Sequence, residues 1–112
     1  MTATLNEIDS NEKLVELFER SENSPVLLFK HSTTCPISSH VLSDVRELSA
    51  EINVIVVQHA RGVSNEVETR LGVRHESPQA IVVSHGRAVY QASHYDVSSD
   101  EIAAILASEA VN

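Results

Sequence analysis

Three apolar runs of four residues each, Val26-Leu27-Leu28-Phe29, Val54-Ile55-Val56-Val57 and Ala80-Ile81-Val82-Val83, recur along this chain and limit its architecture. Each is too short for a buried helix, and β-branched residues dominate the second and third. The first reads as a strand covered on both faces, and the second as a central strand. Helical spacing fills the intervals. Leu14, Leu17 and Phe18 mark one helix, opened by a capping box of Asp9 and Glu12 and closed by Ser21-Glu22-Asn23-Ser24-Pro25. From Pro36, the residues Val41, Leu42, Val45 and Leu48 share one helical face, opposite Asp44, Arg46 and Glu47. Ser64 or Asn65 caps a third helix through Val67 and Leu71, ended by Gly72. The run at Ala80 pairs with Ala88-Val89-Tyr90-Gln91 in a hairpin around His85-Gly86. Ser98 and Glu101 open a last helix through Ile102, Ile105 and Leu106. With a weak first strand around Thr2 to Leu5, the order is β-α-β-α-β-α-β-β-α. This is an α/β chain with a central mixed β-sheet flanked by about four helices on both faces.

A chain of 112 residues, 42% hydrophobic, makes one domain spanning 1–112. Eight basic residues against sixteen acidic ones leave a formal charge of −8, which disfavours nucleic acid and anionic membranes as partners. No apolar run approaches the length of a membrane span. The first residues lack the basic and apolar regions of a signal peptide, and one unpaired cysteine suits a reducing compartment, so the expected location is cytoplasmic.

The lone cysteine, Cys35, stands in Phe29-Lys30-His31-Ser32-Thr33-Thr34-Cys35-Pro36-Ile37-Ser38, between a strand and a helix. A sulfur there meets the unpaired N–H groups and positive dipole end of the helix, which favour thiolate over thiol. Lys30, His31 and His75 are candidate neighbours. A free cytosolic cysteine is commonly an inert buried hydrophobe, but the polar flank and following proline set Cys35 apart from an apolar stripe. Ser38 stands where a dithiol protein carries its second cysteine. A hydroxyl cannot attack a mixed disulfide, so an adduct on Cys35 must be released by an external thiol. Ser38 can also hydrogen-bond the sulfur, or be a plain surface serine. The six histidines show no HxxxH or HExxH spacing, and one cysteine cannot build a structural zinc site. No phosphate-binding glycine pattern or G-x-S-x-G elbow occurs.

With a cysteine heading the helix after the first strong strand and Ser77-Pro78 heading the hairpin, the chain resembles the thioredoxin superfamily over nearly its whole length. The segment from Arg70 to Val83 looks like that superfamily's approach to its cis-proline, which implies a cis bond before Pro78. The motif Thr34-Cys35-Pro36-Ile37-Ser38, in a chain this short, is similar to the monothiol bacilliredoxin family. That resemblance implies a monothiol thiol–disulfide oxidoreductase that removes bacillithiol from S-bacillithiolated proteins through a Cys35–bacillithiol mixed disulfide. Bacillithiol is then a co-substrate and no cofactor is bound. Thr34, Pro36, Ser38, Ser77 and Pro78 are the implied contacts of the thiol ligand. Arg74 is a further candidate, because an arginine fork suits the malate carboxylates of bacillithiol. Lys30 and Arg70 fall near the same edge, and Ser93-His94-Tyr95-Asp96 takes the place of a ligand-holding loop in glutaredoxins. Alternatives remain open: a glutathione-using monothiol glutaredoxin, a non-catalytic thioredoxin-fold adaptor, and a one-cysteine peroxidase.

Overall fold

The computed structural model describes residues 3–110. In chain order these form β1 (Thr4–Glu7), α1 (Asn11–Arg20), β2 (Val26–His31), α2 (Pro36–Val45), β3 (Glu51–Val56) and α3 (Arg61–Leu71). They continue through β4 (Gln79–Ser84), β5 (Arg87–Ser93), a 3-10 turn (His94–Asp96) and α4 (Ser99–Ala110). The sheet runs β1-β3-β2-β4-β5. β3 is parallel to both β1 and β2, while β4 is antiparallel to β2 and to β5. The expected mixed sheet with four helices is therefore the observed fold. The expected first strand begins later, at Thr4, and its Thr2 end lies outside the described residues.

β2 occupies the middle of the sheet, and Val26 through Lys30 are all buried. Alternation along it sends Val26 and Leu28 to one face, with Leu14, Leu17, Val63 and Val67 of α1 and α3. Leu27 and Phe29 point to the other, with Val41 and Val45 of α2 and Ile102 of α4. Two apolar layers thus sandwich one sheet, and the unbroken apolar run follows from burial on both faces.

Three helix starts are instructive. α1 is capped by Ser10, whose Oγ accepts the Lys13 N–H at 3.2 Å. Asp9, the expected cap, pairs instead with Lys13 Nζ at 2.9 Å. α3 starts at Arg61, before either expected cap, Ser64 or Asn65, and follows Ala60 with no side-chain cap. Ser64 is buried inside the helix because its position faces the sheet. α4 opens as expected, with the Glu101 N–H donating to Ser98 Oγ at 3.2 Å.

The hairpin turns on His85 (φ 54°) and Gly86 (φ 73°), a pair of left-handed residues of the kind that two-residue hairpins need. Gly72 ends α3 at φ 68° with its N–H bonded to Glu68 C=O. A methyl group on Gly72 would meet no atom within 4 Å, so its cost is purely conformational. Gly62, in the first turn of α3, also has open space around it, without the left-handed backbone. Gly72→Ala should destabilise by about 1–2 kcal/mol, whereas Gly62→Ala should stabilise by about 0.5 kcal/mol. Urea denaturation of the two variants checks the opposite signs.

Candidate active site

The sheet delivers Cys35 to the C-terminal end of β2, one tight turn beyond the last ladder residue, His31. Within that turn the Cys35 N–H donates to the Ser32 C=O at 3.3 Å. Cys35 is then the N-cap of α2, in extended conformation (φ −105°, ψ 115°), with Pro36 as the first helical residue. Its C=O accepts the Ser39 N–H at 3.2 Å, the opening bond of the helix. The thiol is half-buried and makes no capping hydrogen bond. The N–H groups of the first helical turn have no intrahelical acceptor, so the sulfur stands at a site that favours negative charge. Pro36, which has no N–H to contribute, is exposed beside it.

Ser38 corrects two expectations. It is neither a surface serine nor a partner of the sulfur: it is fully buried on α2. Its Oγ accepts the Ser32 N–H at 3.0 Å and lies 2.7 Å from His31 Nδ1. A neutral imidazole with an unprotonated Nδ1 lets the single hydroxyl proton go to His31 while the oxygen serves Ser32. Burial lowers the His31 pKa from its usual value, which keeps the ring in that state. Ser38 therefore braces the turn from beneath instead of presenting a hydroxyl to a bound thiol. Ser38→Ala should cost about 1–3 kcal/mol by stranding the Ser32 N–H, measured by urea denaturation.

Pro78 lies just beyond Gln79, which pairs with Lys30 at the end of the β2–β4 ladder. It reaches the same end of the sheet as the Cys35 turn. The Ser77–Pro78 peptide is cis, and the Pro78 C=O accepts the His94 N–H at 2.9 Å. That bond joins the proline turn to the 3-10 segment containing Tyr95. Pro78 is buried, and the Ser77 hydroxyl is buried without a partner. Thr34 is exposed, next to the cysteine. Arg74 projects into solvent with its side chain 91% exposed, and its Nε is 4.0 Å from Glu76. Arg70 is committed elsewhere, to Glu66 at 3.0 Å and to the Phe18 ring. A cleft of about 450 Å³ lined by Asn6, Lys13, Glu16 and Asn53 lies between β1 and α1, remote from Cys35.

Lys30, a candidate neighbour of the thiol, is a feature that sequence reasoning could not place. It turns to the α3 face of the sheet, away from α2, and is fully buried. Nζ donates to Ser64 C=O at 3.1 Å and to His75 Nδ1 at 3.1 Å. An ammonium has no lone pair, so Nδ1 of His75 must be the acceptor and the ring neutral. The His75 N–H also donates to Glu68 Oε2 at 3.1 Å. Lys30 and Glu68 thus fasten the segment that leads from α3 into the proline turn. Burial pulls the Lys30 pKa down to about 8, partly offset by Glu68. Burial, and then the Lys30 charge, also lowers the pKa of His75.

The signs for stability follow from linkage. Between about pH 8 and 10.5 the unfolded chain holds a Lys30 proton that the folded one has released, so stability rises with pH across that window. Folded His31 and His75 take up protons less readily than unfolded histidine, so their contribution is full above pH 6.5 and falls as pH drops below it. Lys30→Met should abolish the alkaline rise, followed by urea midpoints from about pH 8 towards 10. Equal slopes in the two proteins would contradict this account of Lys30.

The fold has clear counterparts among solved structures. A thioredoxin-fold protein inferred to be an oxidoreductase superposes with a TM-score of 0.77 at 27% identity, covering 90% of this chain and 92% of its own. A thioredoxin from Malassezia sympodialis superposes at 0.72 with 11% identity, covering 98% and 93%. A thioredoxin variant from Halobacterium salinarum superposes at 0.71 with 17% identity, covering 96% and 91%. The last two establish the fold alone. Residues 6–102 match the family described as monothiol bacilliredoxin BrxC, a span that includes the Cys35 turn, Ser38 and the proline turn, and the chain belongs to that family.

Proposed function

We propose that this protein is a monothiol thiol–disulfide oxidoreductase that removes bacillithiol from S-bacillithiolated proteins. The observation that carries the reading is the accessible N-cap position of Cys35, the chain's one cysteine, above a buried serine. The Cys35 thiolate attacks the bacillithiol sulfur of the client disulfide. The S–S bond of the client breaks, a bond from Cys35 to bacillithiol forms, and the client cysteine leaves as thiolate. A second bacillithiol thiolate then attacks the bacillithiol sulfur held on Cys35. Cys35 departs as thiolate, and the product is oxidised bacillithiol. Each step exchanges one disulfide for another, so no net electrons enter or leave within the protein. The reducing equivalents come from bacillithiol, itself kept reduced by a flavin-dependent disulfide reductase.

Ser38 shapes the second step. An internal thiol at that position would compete with external thiol for the mixed disulfide, and a hydroxyl does not. The adduct therefore waits for a small thiol. Thr34, Pro36, Ser77 and Pro78 are the residues this reading sets around that ligand, and Arg74 is an exposed cation available to its carboxylates. The acidic surface is unsuited to nucleic acid, and among the described residues no helix is long and apolar enough to cross a membrane. A reducing, cytoplasmic setting keeps the thiol usable.

The test presents the purified protein with a model protein bearing bacillithiol on one cysteine, and follows both by intact mass. The adduct should move to the wild-type chain and not to Cys35→Ser. Parallel substrates carrying glutathione or cysteine read the thiol preference. Equal transfer from all three removes the case for bacillithiol, and transfer from none removes the enzymatic reading.

A further inference from the structure

Gln58 lies in the loop between β3 and α3, exposed, with nothing in the sequence around it to mark it. Its side chain reaches across to the three consecutive residues that lead into Cys35. Oε1 accepts the Thr33 N–H at 3.1 Å. Nε2 donates to Ser32 Oγ at 2.8 Å and to Thr34 Oγ1 at 3.2 Å. One carboxamide thus uses its acceptor and both of its protons on a single turn.

Proton counting gives this clamp a direction. A primary amide nitrogen has two protons and no useful acceptor capacity, so both hydroxyl oxygens receive from Gln58. The two hydroxyls lie 3.3 Å apart, and that contact uses one of their two protons. The other proton is left to point away from Gln58. Beneath the loop, the Ser32 N–H is already taken by Ser38. The segment is therefore pinned from two sides and has one hydroxyl proton to give, beside a residue whose reaction creates and consumes thiolate.

We infer that Gln58 is a positioning residue for thiol exchange at Cys35: it fixes the 32–34 turn that carries the sulfur and leaves one hydroxyl proton of that turn free to donate. The inference rests on the thiol-exchange reading of Cys35 and goes beyond it by assigning the device that prepares the turn. Gln58 acts through Ser32, Thr33 and Thr34, and touches neither the sulfur nor the substrate.

The test compares wild type, Gln58→Leu and Gln58→Glu by the rate of Cys35 alkylation with iodoacetamide as a function of pH, alongside thermal melts. Leucine removes all three bonds. Glutamate keeps the acceptor for Thr33, loses both donations and adds a negative charge. Gln58→Leu should slow alkylation at neutral pH by about tenfold while the protein stays folded. Gln58→Glu should in addition displace the rate–pH curve upward by about one unit, because a like charge opposes thiolate. A wild-type curve from either variant overturns the inference. So does an unmoved midpoint in Gln58→Glu, or a loss of rate that only tracks loss of folded protein. Rapid wild-type alkylation without any transfer of bacillithiol would defeat the proposed activity yet leave the Gln58 comparison readable.

Discussion

The burial of β2 on both faces and both edges governs the placement of the reactive residues. Its ladder to β3 fixes how far the strand runs before the chain must turn, at His31. Its ladder to β4 fixes that the proline turn arrives at the same end. Because side chains alternate along a strand, a slip of one residue would exchange Leu27 and Phe29 for Leu28 and Lys30 in the α2 layer. The apolar packing that stabilises the domain thus also positions the sulfur and the proline relative to one another.

The turn itself is built of polar contacts. Ser38 holds Ser32 from the helix side, and Gln58 holds Ser32, Thr33 and Thr34 from the neighbouring loop. Neither bond set involves the thiol, which stays free at the helix tip. This division suits a nucleophile that must be placed accurately and yet remain unbonded until a disulfide approaches. The thioredoxin-like sheet provides the frame, and the family assignment indicates how the frame is used: for thiol redox chemistry on one cysteine.

Much of this was legible in the sequence because it rests on local patterns. The three apolar runs are the three central strands, Gly72 ends its helix in the left-handed region, and His85-Gly86 turns the hairpin. Cys35 at a strand-to-helix junction was equally plain. Less legible were features decided by tertiary partners. Ala60 caps α3 without a capping side chain, so no signal preceded that helix, and Ser64 looked like a cap because its burial is set by the sheet below. Ser38 reads as a surface residue, but it is buried, with its polar partners supplied by Ser32 and His31. Gln58 has no pattern, since its three acceptors and donors lie more than twenty residues earlier in the chain. Lys30 lies close to Cys35 in the chain, in a segment that the resemblance sets near the reactive edge, which made it a candidate neighbour of the thiol. The strand's alternation sent it to the opposite face.

The lysine has one further effect. While its ammonium occupies Nδ1 of His75, that imidazole holds its only proton on Nε2. In that state the ring's second nitrogen can give a hydrogen bond and cannot take one. A lysine buried in the interior thus chooses the tautomer of a histidine in the segment that leads to the proline turn.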